Sequence, residues 1–199
     1  MAHIDYYFAP HSPWAYLGSL RFNDMVRRHG ATVRIMAIDL GQVFPVSGGL
    51  PLAKRAPQRQ AYRLTELARW REFLDMPLVA QPRCLPVDPE PASRLVTAGR
   101  ELGIDMLHFA HLLGRALWAE ERNIADPEVL EEIVTEAGLD PAPLFRAADA
   151  KATTAAMAAD TDRAIAANVF GVPTYALDGE LFWGQDRLDF LERALARRV

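Results

Sequence analysis

Phe8-Ala9-Pro10-His11-Ser12-Pro13-Trp14-Ala15-Tyr16 is the stretch on which the fold turns. Leading into it, His3 to Ala9 alternates. Ile4, Tyr6 and Phe8 fall on one side and His3, Asp5 and Tyr7 on the other, the period of a half-buried strand. Within it, Ser12 is a good helix N-cap. Pro13 suits the first helical position, where its missing N–H would have no partner anyway. After it, Tyr16, Leu17, Leu20, Met25 and Val26 recur at helical spacing over residues 14–29, and Gly30 closes the helix. Ser12 is therefore expected at the N-terminus of a helix fed by a core strand. Unpaired N–H groups and the positive end of the helix dipole converge there and stabilise an anion. A thiolate is one such anion.

Outward from this point, residues 32–38 form a second strand. A strand, a helix and a strand so close together make a βαβ unit with parallel strands and a right-handed crossover. Residues 39–57 are expected to be a loop, marked by Pro45, Gly48, Gly49, Pro51 and Pro57. Gly48-Gly49 with Lys54 lacks the Gly-Lys-Ser/Thr ending of a phosphate loop. A helix is expected over 58–75, with Leu64, Leu67, Ala68 and Leu74 near one face. Five prolines then break the chain between Pro77 and Pro91. Further helices are expected over 90–102, 105–121, 126–137, from Asp140 onward, and over 154–167. Residues 58–150 hold no strand signal. At the C-terminal end, strands 174–177 and 180–182 flank an Asp178-Gly179 hairpin turn, and a last helix is expected over 185–198.

Composition narrows the class. The 199 residues are half apolar, enough for a sizeable core, and carry a net charge of −4. That charge, with scattered basic residues, gives no footprint for nucleic acid. No apolar run approaches the ~18 residues of a membrane span, and no leader precedes the first strand, so a cytoplasmic protein is expected. Cys84 is the single cysteine, so no internal disulfide can form. His108 and His111 lie three apart on a helix. Without a third ligand nearby they are expected to be solvated, and no metal site is expected. His11 is adjacent to Ser12, and neighbours in sequence do not face each other as a base and its nucleophile must.

Laid end to end, the order is β-α-β, a helical block, then α-β-β-α. With a reactive position at the start of the first helix, it resembles the thioredoxin fold. The fold class expected is α/β, a thioredoxin-like domain (1–57 and 151–199) with a large all-helical insertion (58–150). Where thioredoxin-like oxidoreductases carry Cys-x-x-Cys, this chain reads Ser12-Pro13-Trp14-Ala15. The fold implies a cis-proline facing that helix, and Val172-Pro173-Thr174 fits the place.

Two stretches narrow the family. Ser12 to Leu17 resembles the SPxxYL start of kappa-class glutathione transferases. Asn168-Val169-Phe170-Gly171-Val172-Pro173-Thr174 and Phe182-Trp183-Gly184-Gln185-Asp186-Arg187-Leu188 resemble the C-terminal signature of 2-hydroxychromene-2-carboxylate isomerases. This resemblance implies glutathione as cofactor, a small aromatic substrate and a homodimer. By the same implication Ser12 hydrogen-bonds the glutathione sulfur. The backbone of Val172, before Pro173, pairs with the tripeptide as a strand would. Trp183, Gly184, Gln185 and Asp186 form the turn that holds its γ-glutamyl end. The implied reaction is cis–trans isomerisation of an α,β-unsaturated keto acid by reversible thiolate addition. A kappa-type transferase or peroxidase is the nearest alternative, and a disulfide oxidoreductase relative without redox cysteines a more distant one. The isomerases carry a basic residue and an asparagine in the loop after the second strand. Here that loop offers Phe44 and Gly48-Gly49, with Lys54 and Arg55 further on, so Arg34 and Arg83 become candidates to hold a substrate carboxylate.

The physics supports a thiolate at this place without the family. A free thiol has pKa near ~8.5 and is only a few per cent ionised at neutral pH. A helix N-terminus contributes roughly 0.3–2 kcal/mol to an anion. At about 1.36 kcal/mol per pKa unit this lowers a thiol by up to ~1.5 units, and a hydroxyl donor adds to it.

Overall fold

The computed structural model describes residues 2–197. Four strands, β1 (His3–Phe8), β2 (Thr32–Ala37), β3 (Thr174–Leu177) and β4 (Glu180–Trp183), form one sheet in the order β2-β1-β3-β4. β1 and β2 are parallel, with Ile4 opposite Val33. β3 is antiparallel to β1, with Tyr6 opposite Tyr175, and β4 closes the edge as a hairpin. The parallel pair follows from the crossover helix α1 (Pro13–His29), and the hairpin from the Asp178-Gly179 turn, where both residues have positive φ.

Alternation along the strands sorts side chains between two cores. Ile4, Tyr6, Phe8, Ile35 and Tyr175 enter the main core, and Tyr6, Phe22 and Tyr175 meet there ring to ring. Tyr7, expected on the wetter side of β1, is fully buried in a second core with Met36 and Ala176. Both faces of the sheet are therefore covered, as is usual where strands run parallel.

Six helices separate β2 from β3 after the first short one: α3 (Pro57–Phe73), α4 (Glu90–Glu101), α5 (Leu107–Trp118), α6 (Pro127–Glu136), α7 (Pro141–Ala148) and α8 (Lys151–Ala166). Asp126 and Asp140 cap α6 and α7 as the sequence predicts, each accepting from the backbone N–H two residues on at 3.0 Å. Leu95, Phe109, Leu113, Trp118 and Ile133 share the main core with Tyr6 and Phe22, so the helices complete the hydrophobic interior of the sheet.

Three expectations are corrected. Residues 39–57 are not all loop, because α2 (Leu40–Ser47) forms there with Pro45 inside it. Asp39 caps it, its Oδ1 accepting from the Gly41 N–H at 2.7 Å, and Val43 is its only buried residue. The last helix starts later, at Leu188, as α9 (Leu188–Ala196), after a single 3-10 turn at Gln185–Arg187; its expected last residue, 198, lies outside the described residues. Leu20 of α1 is half exposed rather than part of the core face, and of the α3 residues expected on one face only Leu67 is buried.

Candidate active site

Ser12 ends the turn that leaves β1. Its N–H donates to Ala9 O at 2.9 Å, and its extended backbone (φ −82°, ψ 119°) makes it the N-cap of α1. Its Oγ accepts from the Ala15 N–H at 3.2 Å. A hydroxyl has one hydrogen to give and lone pairs to spare. Using the oxygen as a cap leaves the hydrogen for an outside acceptor. Pro13 brings no N–H, and the Tyr16 N–H is taken by Ser12 O. No acidic residue lies in the first turn, so no carboxylate of this helix competes for the positive end of its dipole.

The pairing of Tyr7 with Thr174 sets the start of β3 beside the end of β1, from which this turn leaves, and β3 is preceded by the bond that the fold leads one to expect. The Val172-Pro173 peptide is cis. Among the described residues, the Val172 N–H and C=O make no backbone hydrogen bond, while Pro173 O accepts from the Gly184 N–H at 2.9 Å. The backbone beside Pro173 is thus unpaired on one side and tied to the β4 turn on the other. An extended peptide can add to such an edge.

The structure divides the residues of that turn. Trp183 is half exposed and packs edge-on against Phe170, with ring centroids 4.8 Å apart, while its indole nitrogen covers Gly171. Gly184 has φ 103°, and a Cβ there would meet the Asp186 carboxylate. Asp186 is exposed, with Oδ2 2.7 Å from Arg187. Gln185 is buried, and its carbonyl and side-chain oxygens both accept from Arg21 of α1. Its side-chain oxygen is committed inside the protein. Asp186 is the member of the pair whose carboxylate faces outward.

Other candidates lie elsewhere or are engaged. Arg34 pairs with Asp160 at 3.6 Å and Arg83 with Glu121 at 3.4 Å, so neither is a free carboxylate anchor. Cys84 donates from Sγ to Glu121 O. His11 is partly buried, its Nδ1 has no partner among the described residues, and burial pushes its pKa down. His108 and His111 part company: His108 is exposed as expected, whereas His111 is buried with Nδ1 2.8 Å from Ser19 Oγ. Ser19 donates to Tyr16 O, so it accepts from His111. Burial first, then the nearby His108, brings the His111 pKa down to about 4. No group of His, Cys, Asp and Glu suited to a metal ion occurs among the described residues, and no described helix is long and apolar enough to cross a membrane.

Sequence reasoning missed the pairing of α1 with α5, because nothing in either helix alone marks it. The two run antiparallel. Asn23 donates to Leu107 O, Ser19 meets His111, and Tyr16 meets Gly114, where a Cβ would come within 2.8 Å of the tyrosine Cβ. Continued by one turn, this register runs toward Ser12 on α1 and Trp118 on α5.

Comparison with known proteins agrees with this architecture. Residues 3–196 match the DSBA-like thioredoxin domain family. The chain is 32% identical to a 2-hydroxychromene-2-carboxylate isomerase of Pseudomonas putida, over 98% of this chain and 94% of that one. It is 25% identical to glutathione S-transferase kappa 1 of Caenorhabditis elegans, over 94% and 88% of the two chains. A solved structure of a 2-hydroxychromene-2-carboxylate isomerase superposes with a TM-score of 0.79 at 29% identity, covering 98% of this chain and 95% of that one. A DsbA-like thioredoxin fold that has a serine cap in place of a redox pair, and relatives of this closeness, together place the chain in the 2-hydroxychromene-2-carboxylate isomerase family.

Proposed function

We propose that this protein is a glutathione-dependent isomerase of an aromatic α,β-unsaturated keto acid. The observation that carries the reading is the Ser12 cap, whose oxygen is occupied by Ala15 N–H and whose proton is left to donate. The residues present fit the tripeptide: an unpaired backbone edge at Val172, an outward carboxylate at Asp186 for an ammonium, and a donor at a helix N-terminus for a sulfur anion.

When bound, glutathione supplies a thiolate that adds reversibly to the conjugated carbon, so that the double bond can rotate before the thiolate leaves. The chain's own residues do the rest. Ser12 donates a hydrogen bond to the sulfur anion and, with the α1 dipole, holds it ionised near neutral pH. Ser12 is therefore an activator and does not itself attack. Val172 and Pro173 align the tripeptide, and the Trp183–Asp186 turn fixes its γ-glutamyl end, with Gln185 bracing that turn through Arg21. Turnover of this kind interconverts a chromene hemiketal with its ring-opened benzylidenepyruvate and consumes no thiol. A cytoplasmic homodimer, divided as 1–57 with 151–199 and an insertion at 58–150, completes the reading.

The kappa-type relative favours a second reading, in which glutathione is consumed. Following isomer ratio and free thiol together separates the two. Isomerisation that requires glutathione and leaves its thiol titre constant supports the isomerase. A falling titre supports the transferase, and turnover without glutathione overturns both.

A further inference from the structure

Arg55, Arg59 and Arg63 stand at the start of α3 with nothing negative beside them. Arg59 and Arg63 are four apart and share a face of the helix. The first turn has no acidic residue and Ala56 gives no side-chain cap, so three guanidinium groups sit at the positive end of a 17-residue helix. Among the described residues none of the three has a carboxylate within ion-pair distance. Arg69, further along the same helix, pairs with Glu66, and Arg115 and Arg122 share Glu120 and Glu136. Arg55 donates from Nε to Leu50 O at 2.8 Å, which leaves its terminal nitrogens unclaimed. The Arg63 guanidinium lies 5.6 Å over the Trp118 ring. Burial first, then the charge of Arg59 at Arg55 and of Arg55 at Arg63, holds Arg55 and Arg63 below the usual arginine pKa. The Trp118 indole is 1% exposed and its Nε1–H has no acceptor. Buried donors normally find partners. Here the indole N–H lacks one, and the two partly exposed guanidinium groups beside it lack a carboxylate.

Continued one turn past Tyr16 and Gly114, the α1–α5 register runs to Ser12 and Trp118, so the ring beneath Arg63 belongs to the same end of α1 as Ser12. α3 also follows the segment that leaves the C-terminal end of β2, the edge of the sheet at which the Ser12 turn begins. We propose that Arg63 and Arg55, together with the Trp118 indole N–H, receive the carboxylate of the acidic substrate and set its conjugated carbon beside the Ser12 turn. This assignment rests on the isomerase reading for its ligand, a 2-oxo acid, and on the structure for its place. Arginine suits the task because its planar fork meets both carboxylate oxygens at once.

The test is equilibrium binding of phenylpyruvate, and of its methyl ester, to the intact protein without glutathione, by titration calorimetry. The acid is expected to bind at least ten-fold more tightly than the ester. Arg63→Met and Arg55→Met should each weaken the acid at least ten-fold and leave the ester unchanged. Arg63→Lys should keep part of the affinity, Trp118→Phe should cost several-fold, and Arg146→Gln on α7 should change nothing. Equal binding of acid and ester, no binding of the acid, or acid affinity unmoved in both the Arg63 and Arg55 variants overturns the proposal. Glutathione dependence of turnover is read separately. Its absence with acid binding intact sinks the isomerase reading and keeps the receptor, and the reverse pattern does the opposite.

Discussion

At Gly114 a hydrogen is the largest side chain the packing admits, because Tyr16 lies where a Cβ would go, at 2.8 Å from its own Cβ. The contact is with the root of a buried side chain, which cannot swing away. Gly114→Ala should therefore cost about 1–3 kcal/mol, since forced overpacking outweighs the gain in helix propensity. Denaturant unfolding checks this, and an unchanged or raised stability would mean that α1 and α5 slide apart without penalty. Single residues differ in how far they can be read from sequence. Ser12 is legible because a cap followed by proline is a local signal, and its oxygen does what a cap should. Gln185 is legible as part of a turn but not as a strut, because its partner Arg21 is 164 residues away. Trp118 and Arg63 give no signal at all until the chain is folded and one is found over the other.

Among the elements, α2 shows where a local reading fails. Three prolines and a Gly-Gly pair outweigh one good cap, yet Asp39 and the buried Val43 suffice to hold a short helix against the second core. Its neighbour α8 is joined to α4 and β2 by an ion pair. Arg100 meets Asp160 at 2.5 Å, donates to Ile35 O at 2.9 Å, and both ionic side chains are almost fully buried. Burial raises the Asp160 pKa against the opposing pull of Arg100. Asp160→Ala would leave the buried Arg100 with the half-exposed Glu101 as its remaining carboxylate and should destabilise by about 1–3 kcal/mol, whereas replacing both Arg100 and Asp160 with apolar residues should recover most of that. A loss under ~1 kcal/mol for the single variant would show that water reaches the pair.

The α1–α5 interface carries a pH signature. Folded His111 titrates at about 4, below the ordinary 6.5, so it is neutral in the folded protein through the mildly acidic range. As pH falls below 6.5, the unfolded chain takes up a proton that the folded chain refuses. Stability contributed by the neutral histidine is complete above that pH and is lost as pH drops toward about 4, with a slope of up to ~1.4 kcal/mol per pH unit. His111→Gln should flatten the dependence of unfolding free energy on pH in this window. An identical slope in the variant would assign the acid sensitivity to other groups.

On the scale of the whole molecule, the sheet and its insertion were legible because βαβ and hairpin signals are local and their chiral connections few. What the sequence could not show was the shared core. Helices from the middle of the chain supply Phe109, Leu113 and Trp118 to the same interior as Tyr6 and Phe22, and Arg63 lies over that Trp118. The proposed glutathione half of the site sits on the sheet and α1, and the proposed acid-binding half on α3 and α5. The claim beneath both is that the first turn of α1 keeps a bound thiol ionised through Ser12. The most direct measurement is a titration of the ultraviolet thiolate absorbance of glutathione bound to the wild-type protein and to Ser12→Ala. The expected result is a thiol pKa at least one unit below the ~8.5 of a free thiol in the wild type, returning toward that value in the variant. A bound thiol that titrates at the free value in the wild type, or equally low in both proteins, would contradict it.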